Sequence, residues 1–270
     1  MPYLQINGAN LYYEEHGTAQ DTIVFSHGLL WSGHKFHDQI AALRNQYCCV
    51  TFDFRGQGQS EVTQSGYDIE SLYTDAVALI DMLGCSPCHF VGLSMGGFVG
   101  LRLAIRRPDL LKSLILIETS SDPEPKENIG RYRMLNFVAR WIGLRVVADR
   151  LMEIMFGQKF LNDPVRATLK HEWKGRMVAN HRIGITRVVS GVISRDSVTD
   201  QLGRIRTPPL IIVGDQDVAT IPAKSKLLHA RIPNSKLVVV PGAGHTSTVE
   251  EPVAVTTIMA EFLANMRGKS

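Results

Sequence analysis

Short apolar segments separated by helical patterns are the feature that most constrains the fold of this 270-residue chain. Four such segments precede residue 120: Thr22–Phe25, Cys48–Phe52, His89–Val91 and Ser113–Ile117. Between them, apolar residues recur at the spacing that is typical of helices packed by one face on a sheet. Apolar strands joined by single helices form right-handed βαβ units in a parallel sheet that is covered on both faces. The sequence therefore predicts an α/β fold.

The alternation of strands and helices stops near residue 120 and resumes after residue 207. Residues 123–200 show helical patterns but no strand pattern, and they hold 14 Lys and Arg residues against 8 Asp and Glu residues. The rest of the chain holds 15 basic and 18 acidic residues. We therefore predict an α/β core formed by residues 1–122 and 201–270, interrupted by a helical cap that spans residues 123–200.

The segment Gly92-Leu93-Ser94-Met95-Gly96 matches the pattern G-x-S-x-G and lies between a predicted strand and a predicted helix. A strand that turns directly into a helix forces the residue at the turn into a strained conformation, and glycines two positions before and after it relieve the crowding. The side chain of Ser94 is then exposed above the strand ends, next to the free N–H groups of a helix N-terminus. We therefore predict that Ser94 is a catalytic nucleophile.

A serine nucleophile needs a base, and the base needs an acid that orients it. His245 is the predicted base because it lies in a glycine-containing loop after the last apolar strand. We favour Asp217 as the acid, since it lies far enough beyond its strand to reach this histidine. Asp215 directly follows the same strand and could cap the turn instead, and Glu118, at the end of another strand, is a further candidate. The order Ser94, Asp217, His245 is the one expected after such a turn.

The tetrahedral intermediate of such a reaction needs backbone donors for its oxyanion. The predicted donors are the N–H of Met95, directly after the nucleophile, and the N–H of Leu29, in the loop after Thr22–Phe25. Leu30 and Trp31 follow in that loop and are predicted to line the substrate pocket, although Trp31 could equally be buried in the core. The cap residues that we expect to face the pocket are Trp141, Met152 and Phe156.

Composition and charge argue against several other classes of protein. The chain has 29 Lys and Arg residues against 26 Asp and Glu residues, so its net charge of +3 is too small and too dispersed for a nucleic-acid-binding protein. The longest aliphatic run, residues 114–117, is far too short to span a bilayer. The excess of basic residues in the cap indicates a pocket for an anionic acyl group or, as we favour, a solvated outer face.

No pattern in the sequence predicts a metal ion or an organic cofactor. His34 and His37 have helical spacing, but no cluster of carboxylates or cysteines completes a metal site. The glycines Gly56 and Gly58 lack the third glycine of a dinucleotide-binding turn. The N-terminal residues carry no basic segment followed by an apolar one, so we expect a cytoplasmic protein without a membrane partner.

Five segments of the chain together resemble the α/β-hydrolase superfamily: His27-Gly28, Asp53–Ser60, Gly92–Gly97, Gly214–Asp217 and Gly244-His245. Within that superfamily the chain is similar to small cofactor-independent esterases, lactonases and perhydrolase-type proteins, including 3-oxoadipate enol-lactonases. The resemblance implies an eight-stranded, mostly parallel sheet flanked by helices, with a helical lid inserted after the sixth strand. It also implies that Asp217, the last residue of its segment, is the acid.

These observations lead to a functional hypothesis. We expect a serine hydrolase that cleaves a carboxylic ester or lactone through an acyl-enzyme, with a small molecule as its substrate and no cofactor. Alternatives on the same fold are C–C bond hydrolysis, acyl transfer or perhydrolysis, and a low-turnover receptor for a small molecule. We expect a monomer or a homodimer.

Overall fold

The computed structural model describes residues 2–267, and an eight-stranded sheet runs through it. The strands are β1 (Tyr3–Ile6), β2 (Ala9–His16), β3 (Thr22–Ser26), β4 (Cys48–Phe52), β5 (Cys88–Leu93), β6 (Leu111–Ile117), β7 (Pro209–Gly214) and β8 (Lys236–Val240). Their order across the sheet is β1-β2-β4-β3-β5-β6-β7-β8. Strand β2 is antiparallel to both of its neighbours, whereas the pairs from β4 to β8 are parallel.

Helices cover both faces of this sheet. Those of the core are α1 (His37–Leu43), α2 (Ile69–Leu83), α3 (Met95–Arg106), α9 (Pro222–Arg231), α10 (Ser247–Glu250) and α11 (Pro252–Arg267). A second set lies between β6 and β7: α4 (Lys126–Trp141), α5 (Leu144–Met155), α6 (Gln158–Asn162), α7 (Ala167–Val178) and α8 (Arg182–Ile193). All five of these helices lie within residues 123–200, the segment that the sequence analysis calls the cap. The predicted α/β-hydrolase fold is confirmed.

The alternation of side chains along β6 shows why the sheet is buried on both faces. Leu114 and Leu116 belong to an apolar cluster that also contains the inner faces of α2 and α3. Ile115 and Ile117 point the other way, into a cluster formed with α1 and α11. All four side chains are fully buried, and each contributes roughly 1.5–3 kcal/mol to folding. The apolar sequence of this strand therefore follows from its two covered faces.

A third apolar cluster holds the cap together and joins it to the core. Its cap members include Phe156, Phe160, Trp173 and Met177, and its core members include Trp31. The Trp31 ring meets those of Phe156 and Trp173 edge-on, with centroids 5.9 and 5.2 Å apart. The cap is thus anchored on the loop that follows β3.

The loops that follow β3, β5, β6, β7 and β8 all lie at the carboxyl edge of the parallel sheet. This edge is where ligands of open α/β sheets bind, and the cap helices cover it. None of the helices within residues 2–267 combines the length and the apolar character needed to cross a membrane.

Candidate active site

Ser94 lies at the turn between β5 and α3 in a strained backbone conformation, with φ 51° and ψ −110°. The two glycines of the motif make this turn possible. A Cβ atom on Gly96 would lie 2.1 Å from the carbonyl oxygen of Ser26, and one on Gly92 would lie 2.4 Å from that of Gly96. A strained residue of this kind costs roughly 1–3 kcal/mol, and such residues cluster at active sites. The turn holds the Ser94 hydroxyl above the strand ends.

A continuous hydrogen-bond chain connects Ser94, His245 and Asp217. The distance from Ser94 Oγ to His245 Nε2 is 2.9 Å, and that from His245 Nδ1 to Asp217 Oδ2 is also 2.9 Å. All three side chains are buried. Because the carboxylate can only accept, Nδ1 carries the ring proton and Nε2 is free to accept from the Ser94 hydroxyl. The arrangement can therefore remove a proton from Ser94.

Several donors hold the Asp217 carboxylate in place. Its Oδ1 accepts hydrogen bonds from the backbone N–H groups of Ala219 and Thr220, at 2.8 and 2.9 Å. Burial on its own would raise the pKa of Asp217, but the charge and hydrogen bond of His245 hold it below its usual value. Asp217 is thus kept ionised beside the ring. Asp215 is exposed, and it accepts a 2.7 Å hydrogen bond from the N–H of Gly242, so it caps the neighbouring loop.

Glu118 lies at the end of β6 and is completely buried. Both of its carboxyl oxygens are 3.1 Å from the backbone nitrogen of Gly214. One carboxyl oxygen of Glu118, one of Asp217 and one ring nitrogen of His245 lie within 4.8 Å of one another. Three ligand atoms at this spacing could hold a cation, but both ring nitrogens of His245 are already hydrogen-bonded within the chain. The arrangement therefore favours proton transfer over metal binding.

Glu250 fixes the loop that carries His245, a role that the sequence analysis did not assign. Its carboxylate accepts hydrogen bonds from the N–H groups of Gly244 and Thr246, which flank the histidine, both at 3.0 Å. The same carboxylate accepts a 2.8 Å hydrogen bond from the N–H of Gly157 in the cap. One buried side chain therefore holds the histidine loop and the cap together. No sequence signal marks it, because these partners meet only in the folded chain.

The two predicted oxyanion donors lie on adjacent loops beside Ser94. Within residues 2–267, neither the N–H of Leu29 nor that of Met95 has a hydrogen-bond acceptor, whereas their neighbours do. The N–H of Leu30 donates to Gln57 Oε1 at 2.8 Å, and the N–H of Gly96 donates to the carbonyl of His27 at 3.1 Å. Both predicted groups are therefore available to a ligand.

The His27 ring shapes the loop that carries Leu29. Its Nδ1 donates to the carbonyl of Gly28 at 2.7 Å, and its Nε2 accepts from the N–H of Phe54 at 3.0 Å. Burial lowers the pKa of His27 to about 4, so the ring stays neutral and keeps both bonds. The loop geometry consequently persists across the pH range in which a neutral base can work.

A cavity of about 110 Å³ lies between the carboxyl edge of the sheet and the cap, and Ser94 and His245 form part of its wall. Helices α4, α5 and α8 supply most of the rest. Their contributions are mainly apolar and include Leu135, Ala139, Val147, Leu151, Ile185 and Val189. A ligand in this cavity would touch Ser94 at one end and aliphatic side chains along its length.

The predicted pocket residues fit this cavity only in part. Leu30 lines it, as predicted. Trp31, Met152 and Phe156 do not: they are buried in the cluster that joins cap and core, where their rings and sulfur fill space between helices. Trp141 is also absent from the cavity wall and is 69% exposed on the outer face of α4. Trp31 thus takes the buried position that was its stated alternative. The prediction was wrong for Trp141, Met152 and Phe156, because a helical pattern identifies an apolar face without saying what covers it.

A buried ion pair is the main charged feature of the cavity wall. Arg195 contacts Glu124 at 2.9 Å, and both side chains are almost fully buried. Since Glu124 neutralises Arg195, the cavity offers no unpaired positive charge among its wall residues. Eight basic residues of the cap are instead exposed: Lys126, Arg131, Arg133, Arg145, Arg150, Lys159, Arg176 and Arg182. Their charge lies on the outer face, the interpretation favoured above.

Comparisons with known proteins identify the fold family of the chain. The family model described as "alpha/beta hydrolase fold" matches residues 21–252. A protein of Mycobacterium tuberculosis H37Rv named "Putative non-heme bromoperoxidase BpoC" is 30% identical over 269 residues, covering 96% of this chain and 99% of its own length. The 3-oxoadipate enol-lactonase 2 of Acinetobacter baylyi is also 30% identical, covering 93% and 94% of the two chains.

Solved structures show the same similarity. The enol-lactonase from Burkholderia xenovorans LB400 superimposes with a TM-score of 0.90 and 27% identity, covering 97% of this chain and all of the other. A thermophilic esterase from Thermogutta terrifontis reaches the same TM-score at 24% identity, covering 98% of both chains. The resemblance noted in the sequence therefore extends along nearly the whole chain and includes the cap.

Proposed function

The chain belongs to the α/β-hydrolase fold family, and on that premise we propose that it is a serine hydrolase that cleaves uncharged carboxylic esters or lactones. The observation that carries the proposal is the buried hydrogen-bond chain from Ser94 through His245 to Asp217, which opens into an apolar cavity. A hydroxyl, an imidazole and a carboxylate in this sequence of contacts are the groups that acyl transfer to serine requires.

In the first half of the reaction, Ser94 Oγ attacks the substrate carbonyl while His245 Nε2 takes the hydroxyl proton. Asp217 holds the ring in the tautomer that can accept this proton and stabilises the imidazolium that forms. The N–H groups of Leu29 and Met95 donate to the developing oxyanion. The tetrahedral intermediate then collapses to an acyl-enzyme, and His245 gives its proton to the leaving alkoxide.

In the second half, a water molecule attacks the acyl-enzyme and gives its proton to His245. The same two N–H groups stabilise the second oxyanion, and collapse returns the proton to Ser94 as the carboxylic acid is released. With a lactone, the alcohol and the acid remain one molecule, and the steps are otherwise the same.

We further propose that residues 123–200 act as a lid that sets specificity and takes no part in the chemistry. All three residues of the hydrogen-bond chain lie outside this segment, while α4, α5 and α8 supply most of the cavity wall. Because that wall is largely aliphatic and its ion pair is internally neutralised, it favours an uncharged apolar acyl group over an anionic one.

The test of the proposed chemistry is covalent labelling. A fluorophosphonate probe is expected to modify the protein once, at Ser94, and Ser94→Ala should abolish labelling and ester hydrolysis while the fold stays intact. Ser26→Ala is the matched control, since Ser26 is a buried serine at the end of the adjacent strand β3. Label found by peptide mapping on any other serine would contradict the assignment.

A substrate panel tests the reaction class. The relatives are named for different reactions, so the panel should contain p-nitrophenyl esters, lactones, a carbamate, and a carboxylic acid with hydrogen peroxide. We expect turnover of esters or lactones to be fastest. Labelling of Ser94 together with tight binding but almost no turnover of any substrate would instead favour the receptor alternative.

A further inference from the structure

We propose that Glu118 and Asp217 share one proton, so that a neutral Glu118 donates a hydrogen bond to the ionised Asp217 and positions it against His245. The inference rests on the proposed function and extends it by one residue behind the acid. Glu118 would touch neither substrate nor reacting atoms, and it would act through Asp217 as a positioning residue.

The placement of the two carboxyl groups is the first argument. One carboxyl oxygen of Glu118 and one of Asp217 lie within 4.8 Å of each other, and Glu118 is fully buried while Asp217 is 2% exposed. Two carboxylates have only acceptors to offer each other, so a hydrogen bond between them requires one proton. Two like charges at this separation in a buried site also cannot both persist.

The surroundings decide which carboxyl group keeps the proton. Asp217 accepts from His245, Ala219 and Thr220, so it has the donors that stabilise a carboxylate. Glu118 has fewer donors: the N–H of Gly214, which both of its oxygens share, and the hydroxyl of Ser247. Burial raises the pKa of Glu118 well above its usual value, and the neighbouring Asp217 charge raises it further. The proton therefore belongs on Glu118.

One buried cation faces this pair and has to be taken into account. Lys35 is 2% exposed, and its Nζ has no hydrogen-bond partner within residues 2–267. Burial lowers the pKa of Lys35 to about 7, and the charge that opposes this shift most is that of Glu250, ahead of Glu118 and Asp217. Since Lys35 is hydrogen-bonded to neither carboxyl group of the pair and is shared with Glu250, it does not supply the charge that a second carboxylate would need.

The hydroxyl of Thr220 lies close to both Glu118 and Asp217, but it cannot donate fully to both. Thr220 Oγ1 lies 2.7 Å from the carbonyl oxygen of Glu118 and 2.9 Å from Asp217 Oδ2, but it has one proton to donate. The shorter contact fixes the backbone of Glu118, which has a φ of 50°, in the left-handed region that a non-glycine residue rarely adopts. A fold that keeps this strain while holding the carboxyl group against Asp217 is consistent with a functional role.

Two substitutions test the positioning role. Glu118→Ala removes the donor, and we expect kcat to fall about 10- to 100-fold with KM little changed, because a misoriented base affects the chemical step. Glu118→Gln keeps the shape of a neutral acid. Its amide N–H₂ can donate to Asp217 in place of the acid hydroxyl, and its amide oxygen can accept from the N–H of Gly214. It should recover most of the lost kcat. If Glu118→Ala folds and keeps its full kcat, or if Glu118→Gln is as impaired as Glu118→Ala, the positioning role is wrong.

The pH profile tests where the proton lies. The rate kcat/KM falls on the acid side as His245 becomes protonated. An ionised Glu118 would stabilise that protonated ring, so replacing it with neutral Gln would move the acid limb to lower pH by about one unit or more. A neutral Glu118 carries no charge to remove, and we expect the limb of Glu118→Gln to coincide with that of the unmodified protein. A downward shift would overturn the proposal.

Infrared spectroscopy gives a readout that does not depend on activity. The carbonyl stretch of a protonated carboxylic acid should persist at pH 8 in the unmodified protein and vanish in Glu118→Gln, and its absence from the unmodified protein would contradict the shared proton. Fluorophosphonate labelling of Ser94 in each variant separates the two proposals. If Ser94 is labelled but the acid limb of Glu118→Gln is shifted, only the role of Glu118 is wrong. If the unmodified protein is not labelled, the proposed serine hydrolase is wrong.

Discussion

The core and the cap contribute to the proposed site in different ways, the core through its backbone and the cap through its side chains. In the core, backbone geometry constrains the proposed site: Ser94 is held at a strained turn, and Gly96, two residues on, has no room for a Cβ atom. In the cap, side chains line a cavity, and backbone packing is tight only where the cap meets the core: Gly130 has open space around it, whereas a Cβ atom on Gly184 would lie 2.2 Å from the carbonyl oxygen of Gly56. Substitutions in the cavity wall of the cap should therefore be tolerated at the cost of selectivity, whereas substitutions in the core should reduce either turnover or stability.

The largest effect is expected in the core, from Asp217→Asn. The amide can hold His245 in the wrong tautomer and carries no charge, so kcat should fall about 10⁴-fold with the fold intact. Asp215→Asn is the matched control two residues away. It should leave kcat within a factor of two and cost about 1 kcal/mol of stability, because Asp215 caps a loop through Gly242. Steady-state kinetics and thermal unfolding of both variants distinguish a loss of turnover from a loss of stability. A fully active Asp217→Asn would contradict the assignment of Asp217 as the acid.

The second effect concerns stability at the turn that carries Ser94. In Gly96→Ala the new methyl group would lie 2.1 Å from the carbonyl oxygen of Ser26, so the start of α3 must move away from the end of β3. We expect a loss of about 3 kcal/mol or more in the free energy of unfolding, measured by urea titration. An unchanged midpoint would mean that the turn is less constrained than its geometry indicates.

The third effect is a change of selectivity in the cap. Leu135→Ala enlarges the cavity, and we expect the ratio of kcat/KM between long and short acyl esters to change roughly tenfold, the equivalent of ~1–2 kcal/mol of contact. Phe137→Ala is the control on the same helix, because Phe137 is 60% exposed and does not line the cavity. Equal losses on every ester in Leu135→Ala would show that the cap takes part in the chemistry.

The smallest effect is a gain of stability in the cap. Gly130 lies in the interior of α4, and a Cβ atom there would meet nothing within 4 Å. Gly130→Ala should therefore stabilise the protein by about 0.5–1 kcal/mol through helix propensity, without changing kcat. A loss of stability would contradict the open space that surrounds Gly130 in the structure.

The same contrast explains how much the sequence alone could predict. Motifs of the core are local: the turn at Ser94 needs a strand, a helix and two glycines within a few residues, and all are visible in the sequence. The acid was ambiguous among Asp217, Asp215 and Glu118, because the choice depends on which loop reaches His245. The structure brings Asp217 to the ring, and the catalytic roles are still predictions.

The pocket could not be predicted in the same way. Helix α4 carries apolar side chains around more than one face, so Leu135 lines the cavity while Trp141, on the same helix, faces outward. Periodicity alone cannot tell a face that lines a cavity from one that meets solvent. The cluster of Trp31, Met152 and Phe156 shows the related limit, since large apolar residues are as useful for joining cap to core as for holding a substrate.

The contact between Glu250 and Gly157 has a consequence for protein engineering. A designer who replaces the cap with that of a relative would treat it as an independent module, yet the N–H of Gly157 shares a carboxylate with the loop that carries the catalytic histidine candidate. A Cβ atom at residue 157 would lie 2.9 Å from the backbone nitrogen of Gly244, so the graft needs a glycine there as well as the N–H. Chimeras that retain Gly157 and chimeras that replace it should differ sharply in turnover even when their cavities are identical.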